Sequence, residues 1–484
     1  MYTSTLLEIF KSFTPKETKD FEDFVASPYY NKNKNVTALF NLIKSEYPDF
    51  SKGNLTKEKV YKKIYHSEKY NDGTIRLLMF YLQEVAEKFI SVRNFESRPF
   101  SYEEHLLWGL NEHDLSKVFE KSYKTILKKL NTSRKQYAEY YYKRFTIEYE
   151  NLSHLAKVYF DRDEKYIQKS NVTDVFDSLT HSYLIRTFKY YLYFLNIRMK
   201  FNVTQKFKVF EELIYRHNPE EYENVPLVNM YYYCLMMTLK PDDEENFYKA
   251  KELLFKKEDS FIDEDYVEFY INLENYCKRK AKIGMLHYQK ELFEIYQSEI
   301  EKKAYAYRGK MPDLFYKSVV DIGLRLKKYD YVKKFISHYK HELPEQYKEN
   351  TYLHCQGVYE FALDNFEKSL ELISKVKFDE IYQKLDIKCL LNALYFELKL
   401  DSTLESSMDT FRHFLKNDKL VPPSRKEQFS IFNKNLAKLV KLRKKPEQEE
   451  LELFHDNILS GNYYNKEWLL SKASQLIEQN KASF

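Results

Sequence analysis

Glycine is nearly absent. It supplies 8 of 484 residues, where average usage would be about 7%. Glycine gives the positive-φ turns and close backbone approaches that hairpins and phosphate loops need. Without it, the chain is expected to be almost all helix joined by short turns. Neither GxGxxG nor GxxxxGK[ST] occurs, which excludes Rossmann and P-loop sites at the sequence level. HExxH and GxSxG are missing too. The four cysteines, Cys234, Cys277, Cys355 and Cys389, include no CxxC pair, so zinc and redox motifs are absent. Buried reduced thiols are expected, with no metal and no cofactor. Long apolar runs are also lacking. The densest, near Met230–Leu239, falls far short of the ~20 residues that cross a bilayer. The opening MYTSTLLEIFKSF has no basic n-region, apolar h-region or small-residue cleavage site, so the expected location is cytoplasmic. Neither sign of charge dominates: 78 Lys and Arg face 73 Asp and Glu, a net +5. A dedicated nucleic-acid binder is usually far more basic.

What the chain has is aromatic rings: 45 tyrosines and 36 phenylalanines. A tyrosine ring can line a helix–helix seam while its hydroxyl reaches water. At this length one core is not enough, so two to four domains or one long repeat array is expected.

The first hundred residues read as a helical bundle. Thr14-Pro15-Lys16-Glu17 is a capping box with proline at the first helical position. That helix carries Phe21, Phe24 and Val25 and stops at Ser27-Pro28. Helices follow over Val36–Tyr47 and Thr56–Tyr65. Asp72 is expected to cap a long helix whose stripe Ile75, Leu78, Leu82, Val85, Phe89 steps by 3 and 4.

From 99 to 310 successive helices are broken by polar clusters such as Lys240-Pro241-Asp242-Asp243. Periodicity is clearest between Pro312 and Lys416. Asp313 is expected to cap a helix with Phe315, Val319, Ile322 and Leu326. A break at Tyr329-Asp330 leads to Val332, Phe335, Ile336 and Tyr339. The pattern recurs as Tyr352–Leu363 then Phe366, Leu370, Ile373, and again from Ile381 to Phe411. Gly323 and Gly357 lie 34 residues apart, as do Cys355 and Cys389. A helical hairpin repeating at about 34 residues resembles tetratricopeptide repeats. Gly357, Phe366 and Ser369 fall on that family's small, aromatic and small positions, while Phe335 departs from it. The run Ser27-Pro28-Tyr29-Tyr30-Asn31-Lys32-Asn33-Lys34 through Tyr70-Asn71-Asp72 also resembles a functionally uncharacterised family of bacterial helical proteins. That resemblance implies architecture and no activity.

The expected fold is therefore all-α: an N-terminal bundle (1–98), a helical-hairpin array (99–310), tetratricopeptide-like repeats (311–420) and C-terminal capping helices (421–484). Stacked hairpins bury one continuous core and leave a groove.

Candidate sites are few. His338 and His341, at i and i+3 beside Glu342, are two of the ligands a metal would need, with no third in view. The acids Asp242–Glu245 suit a helix N-terminus. Thr74 and Arg76 would face DNA if residues 56–89 formed a helix-turn-helix. Arg134-Lys135-Gln136-Tyr137 through Tyr140–Arg144 interleaves cations and rings, as single-strand binders do. The sharpest patch is a basic amphipathic helix between Arg425 and Lys445, with eight cations and one acid, Glu427. Lys434, Lys438, Lys441 and Lys445 form its outer stripe; Phe429, Phe432, Leu436 and Leu439 form the inner one. These four lysines are the candidate partner contacts.

The expected function is a non-enzymatic scaffold or adaptor that binds a protein or peptide in a helical-repeat groove. The alternative is a nucleic-acid-binding regulator that uses the N-terminal bundle or the basic helix.

Overall fold

The computed structural model describes residues 4–50, 54–66, 69–133, 137–159, 163–200, 208–257, 260–377, 381–418, 421, 423–461 and 464–482. Among them are 24 α-helices and no strand, as the scarcity of glycine implied. No helix among the described residues is long and apolar enough to cross a membrane. Two compact units divide the chain at 186/187.

The first unit opens with five helices around a phenylalanine cluster. In the capping box, Thr14 N–H donates to the Glu17 carboxylate at 2.7 Å and Glu17 N–H donates to Thr14 Oγ1 at 3.2 Å. The helix so started, Pro15–Ala26, delivers Phe21 to the centre. Its ring lies 4.8 Å from Phe40 and 5.3 Å from Phe10 and from Phe89. Two boundaries differ from expectation. The third helix runs Lys34–Lys44, starting at the Asn33 cap and ending short of Tyr47. The long helix Asp72–Ser97 is capped by Asn71, whose Oδ1 accepts from Thr74 N–H at 3.1 Å. Asp72 has other partners: Lys57, Arg76 and the Tyr70 hydroxyl.

In the second unit the tyrosines go deeper than expected. Tyr231, Tyr270, Tyr276 and Tyr316 are fully buried. Their hydroxyls bond Asp265, Ser298, the Pro241 carbonyl and the Ile336 carbonyl at 2.6–2.8 Å. A buried hydroxyl without a partner is costly, so each ring also fixes where a neighbouring element sits.

Five helical hairpins share one turn. The first helix ends, a residue enters the left-handed region, and a second helix starts two or three residues later. The left-handed residues are Asp114 in the first unit and Gly284, Lys327, Asp364 and Lys399 in the second. The N–H after each bonds the carbonyl five residues back: Leu115 to Leu110, Met285 to Lys280, Lys328 to Gly323, Asn365 to Glu360, Leu400 to Tyr395. This is the Schellman closure, and glycine provides only one of the five.

These turns define a common register. Seven residues before the left-handed position lie Leu107, Cys277, Val320, Gly357 and Asn392, all buried. Five residues after it lie Phe119, Val332, Ser369 and Leu404, all fully buried; after Gly284, whose second helix starts one residue later than the others, the position is the half-buried Gln289. Gly357 therefore aligns with Val320, not with Gly323, which is only four residues before its turn. The equal 34-residue spacings of glycine and cysteine are not a structural register, because successive hairpins differ in length. Likewise the break after Asp313–Arg325 falls at Leu326–Lys328, ahead of the expected Tyr329-Asp330, and Asp313 is itself the first helical residue, paired with Lys317 at 2.8 Å.

Glycine matters at the hairpin crossings for another reason. A Cβ on Gly357 would lie 2.5 Å from Ile373 Cδ1 and 2.6 Å from its Cγ1. Ser369, beside it, donates to the Gly357 carbonyl at 2.7 Å. Gly109 sits mid-helix with nothing within 4 Å of its would-be Cβ. Gly357→Ala is expected to cost about 1–3 kcal/mol by overpacking, and Gly109→Ala to gain about 0.5–1 kcal/mol from helix propensity. Urea midpoints of the two variants should move in opposite directions; a shared direction would refute the crossing argument.

Candidate binding cleft

A cleft within the second unit encloses about 700 Å³. Helices Asp263–Lys282, His287–Glu301 and Asp313–Arg325 form one side. The turn between helices Gln448–Ser460 and Lys466–Lys481 forms the other. Helical period explains the floor: Leu292 and Tyr296 are four apart on one helix, and Ile322 comes from the next. All three are buried.

The rim is polar and of mixed sign. Arg325 Nε pairs with Asp321 at 2.9 Å, and Arg325 also reaches Glu467 across the cleft at 3.5 Å. Lys466 donates to the Leu459 and Gly461 carbonyls at 2.6 and 2.8 Å, closing the end of the preceding helix. Lys278 pairs with Glu274 at 2.8 Å and holds its ammonium 5.5 Å over the Tyr296 ring. Among the described residues, the side chains of Lys282 and Gln289 at the mouth make no hydrogen bond or ion pair.

Behind the floor sits a buried carboxyl. Glu299 is 3% exposed. Burial first, and the neighbouring Glu274 second, hold it far above the usual carboxylate range. Burial thus favours its neutral form behind the cleft floor. The arrangement offers an apolar floor, fixed charges and spare amide and ammonium donors, which suits an extended segment of polypeptide.

The basic helix forms as Pro423–Lys444. Phe429, Phe432, Leu436 and Leu439 are buried, and Lys434, Lys441 and Lys445 are exposed. Lys438 is half-buried, its ammonium 5.6 Å over Phe454. Lys445 sits 3.5 Å from Glu447. Arg443 pairs with Asp401, Lys444 with Glu405, and Lys426 donates to the Asp418 carbonyl. Much of the patch's charge is thus used within the fold.

The other candidates separate. Arg76 is held by Asp72 at 2.6 Å, and its helix exposes Leu77, Phe80 and Tyr81, an apolar face. Arg134, Lys135 and Gln136 lie outside the described residues. Of the cations that follow them, Lys143 pairs with Glu104 at 2.6 Å and Arg144 lies beside Glu148 and Asp174. His341 Nδ1 contacts the His338 carbonyl at 2.8 Å, and the two rings stand 6.2 Å apart. Asp242 and Glu244 flank the start of helix Glu245–Lys256 and face the buried Lys280. All four cysteines are buried free thiols, pushed well above the usual thiol range by burial. Among the described residues, no cluster of three or more His, Cys, Asp or Glu could hold a metal ion.

The cleft was invisible in the sequence because its parts come from residues 278–296, 318–325 and 461–467. No motif spans such separations. No known protein family, curated protein or solved structure matches the chain.

Proposed function

We propose that the chain is a scaffold or adaptor, without enzymatic activity, that holds an extended segment of a protein partner in this cleft. The supporting observation is the cleft itself: about 700 Å³, within the size range of ligand sites, with an apolar floor between polar walls. The repeated turn at Lys327, Asp364 and Lys399 supports reading residues 311–420 as stacked tetratricopeptide-like hairpins, with the cleft opening beside the first of them. The exposed Lys434 and Lys441 offer a further contact for an acidic stretch of the same partner. The nucleic-acid reading has less support, since Lys143 and Arg144 lie against carboxylates and Asp72 neutralises one of the two charges of Lys57 and Arg76.

The test is selection of a random peptide library on the full chain. Enriched peptides should compete with one another, and Leu286→Glu with Lys282→Glu at the exposed mouth should weaken them by about tenfold or more, roughly 1.4 kcal/mol. Peptides indifferent to both changes, or no enrichment at all, would overturn the assignment.

A further inference from the structure

We propose that the first unit carries a second binding site, for a carboxylate attached to an apolar side chain. A pocket of about 390 Å³ lies between the start of helix Thr5–Ser12 and helices Lys57–Tyr65 and Asp72–Ser97. Its walls are Ser4, Leu6, Lys57, Arg76, Met79 and Phe80, with Gln83 at the edge. One feature sets it apart from the cleft of the second unit: its charged lining is cationic only.

The cations are oriented from behind. Asp72, outside the lining, accepts from Lys57 Nζ at 3.1 Å, from the Tyr70 hydroxyl at 2.8 Å and from Arg76 Nε at 2.6 Å. These donors hold its carboxyl below the usual range, so it stays ionised. One carboxylate thus steers two cations and neutralises one. About one positive charge is left for the pocket, which matches a monoanion better than a doubly charged phosphate. Arg76 engages Asp72 through Nε, and its two terminal nitrogens keep the forked geometry that fits a carboxylate. Ser4 adds a donor: its buried Oγ has no hydrogen-bond partner among the described residues, although it stands at a helix start where serine normally caps. A buried hydroxyl in that state is unusual, and a ligand oxygen would satisfy it.

The apolar side fixes the rest of the ligand. Phe80 is 53% exposed, while Met79 beneath it is buried. An exposed ring of that size next to two cations can cover one large apolar side chain. The volume admits that side chain and its carboxylate and little more. Two sources carry this chemistry: the free C-terminus of a polypeptide ending in a large apolar residue, and a small organic acid.

The experiment is calorimetric titration of the full chain with three probes: an acetylated pentapeptide ending in phenylalanine as free acid, the same peptide as amide, and N-acetylphenylalanine. The free acid is expected to bind, and the amide to bind at least about tenfold more weakly. Arg76→Gln should remove that preference. Phe80→Ala should weaken both peptides and preserve their ratio. Both side chains are largely exposed, so the variants should keep the parent circular dichroism spectrum. Peptide binding tighter than N-acetylphenylalanine by about tenfold would point to a protein C-terminus; equal affinity would point to a small acid. Equal affinity for acid and amide, an unchanged preference in Arg76→Gln, or no binding of any probe at about 1 mM would overturn the proposal.

Discussion

Replacing Glu299 with glutamine is expected to stabilise the second unit at neutral and alkaline pH, and to change little near pH 4. The Glu299 carboxyl is buried beside Glu274, and both facts raise its pKa above the unfolded value. The folded state therefore holds a proton that the unfolded state has lost, across the interval above the ordinary carboxyl pKa. By linkage, stability falls as pH rises through that interval, and the contribution is fully present only below it. Each pH unit is worth about 1.4 kcal/mol, so across the roughly 2.5 units from the ordinary carboxyl pKa to pH 7 the wild-type penalty is on the order of 3 kcal/mol. Glutamine removes it: an amide is neutral at every pH and donates an N–H where the acid used its proton. Urea midpoints at pH 4.5 and pH 8 decide the matter. A gain of equal size at both would mean that no proton is involved. A loss at pH 8 would mean that Glu299 is ionised and paired.

Phe21→Ala is expected to cost about 3–5 kcal/mol. Phe21 is fully buried, with the rings of Phe10, Phe40 and Phe89 within 5.5 Å of its own, mostly edge-on. Edge-to-face pairs add about 0.5–1.5 kcal/mol each beyond area burial, and the aromatic cluster cannot collapse around the void without tilting every ring. Since domains are stable by only about 5–15 kcal/mol, residues 5–97 should become sensitive to protease while the second unit stays resistant. Cleavage confined to the second unit, or a variant as resistant as wild type, would show that the cluster does not organise the bundle.

Particular residues show how far the sequence reached. Thr14 and Glu17 specify a helix start by themselves, because a capping box is a contact between residues three apart. The stripes Ile75–Phe89 and Phe429–Leu439 specify which face is buried, because helical period is local. Asn71 and Asp72 were harder: both can cap, and the choice fell to Asn71 because Lys57, Tyr70 and Arg76 draw the aspartate away. The repeat was harder still. Its turns use lysine and aspartate in a conformation that glycine usually marks, so the expected punctuation is missing. The 34-residue glycine spacing pointed to a register that the hairpins do not keep.

By itself the sequence determined the all-helical class, the amphipathic faces, the burial of the thiols and the absence of nucleotide-loop motifs. Each of these depends on composition or on neighbours within one or two turns. Only the tertiary structure decided that Glu299 meets Glu274, that Glu467 meets Arg325 across a cleft, and that Lys57 meets Asp72 beside Arg76. Each of those contacts joins residues from separate helices, and the proton on Glu299 is held by burial. Neither distance in space nor exclusion of water is written in the order of the residues.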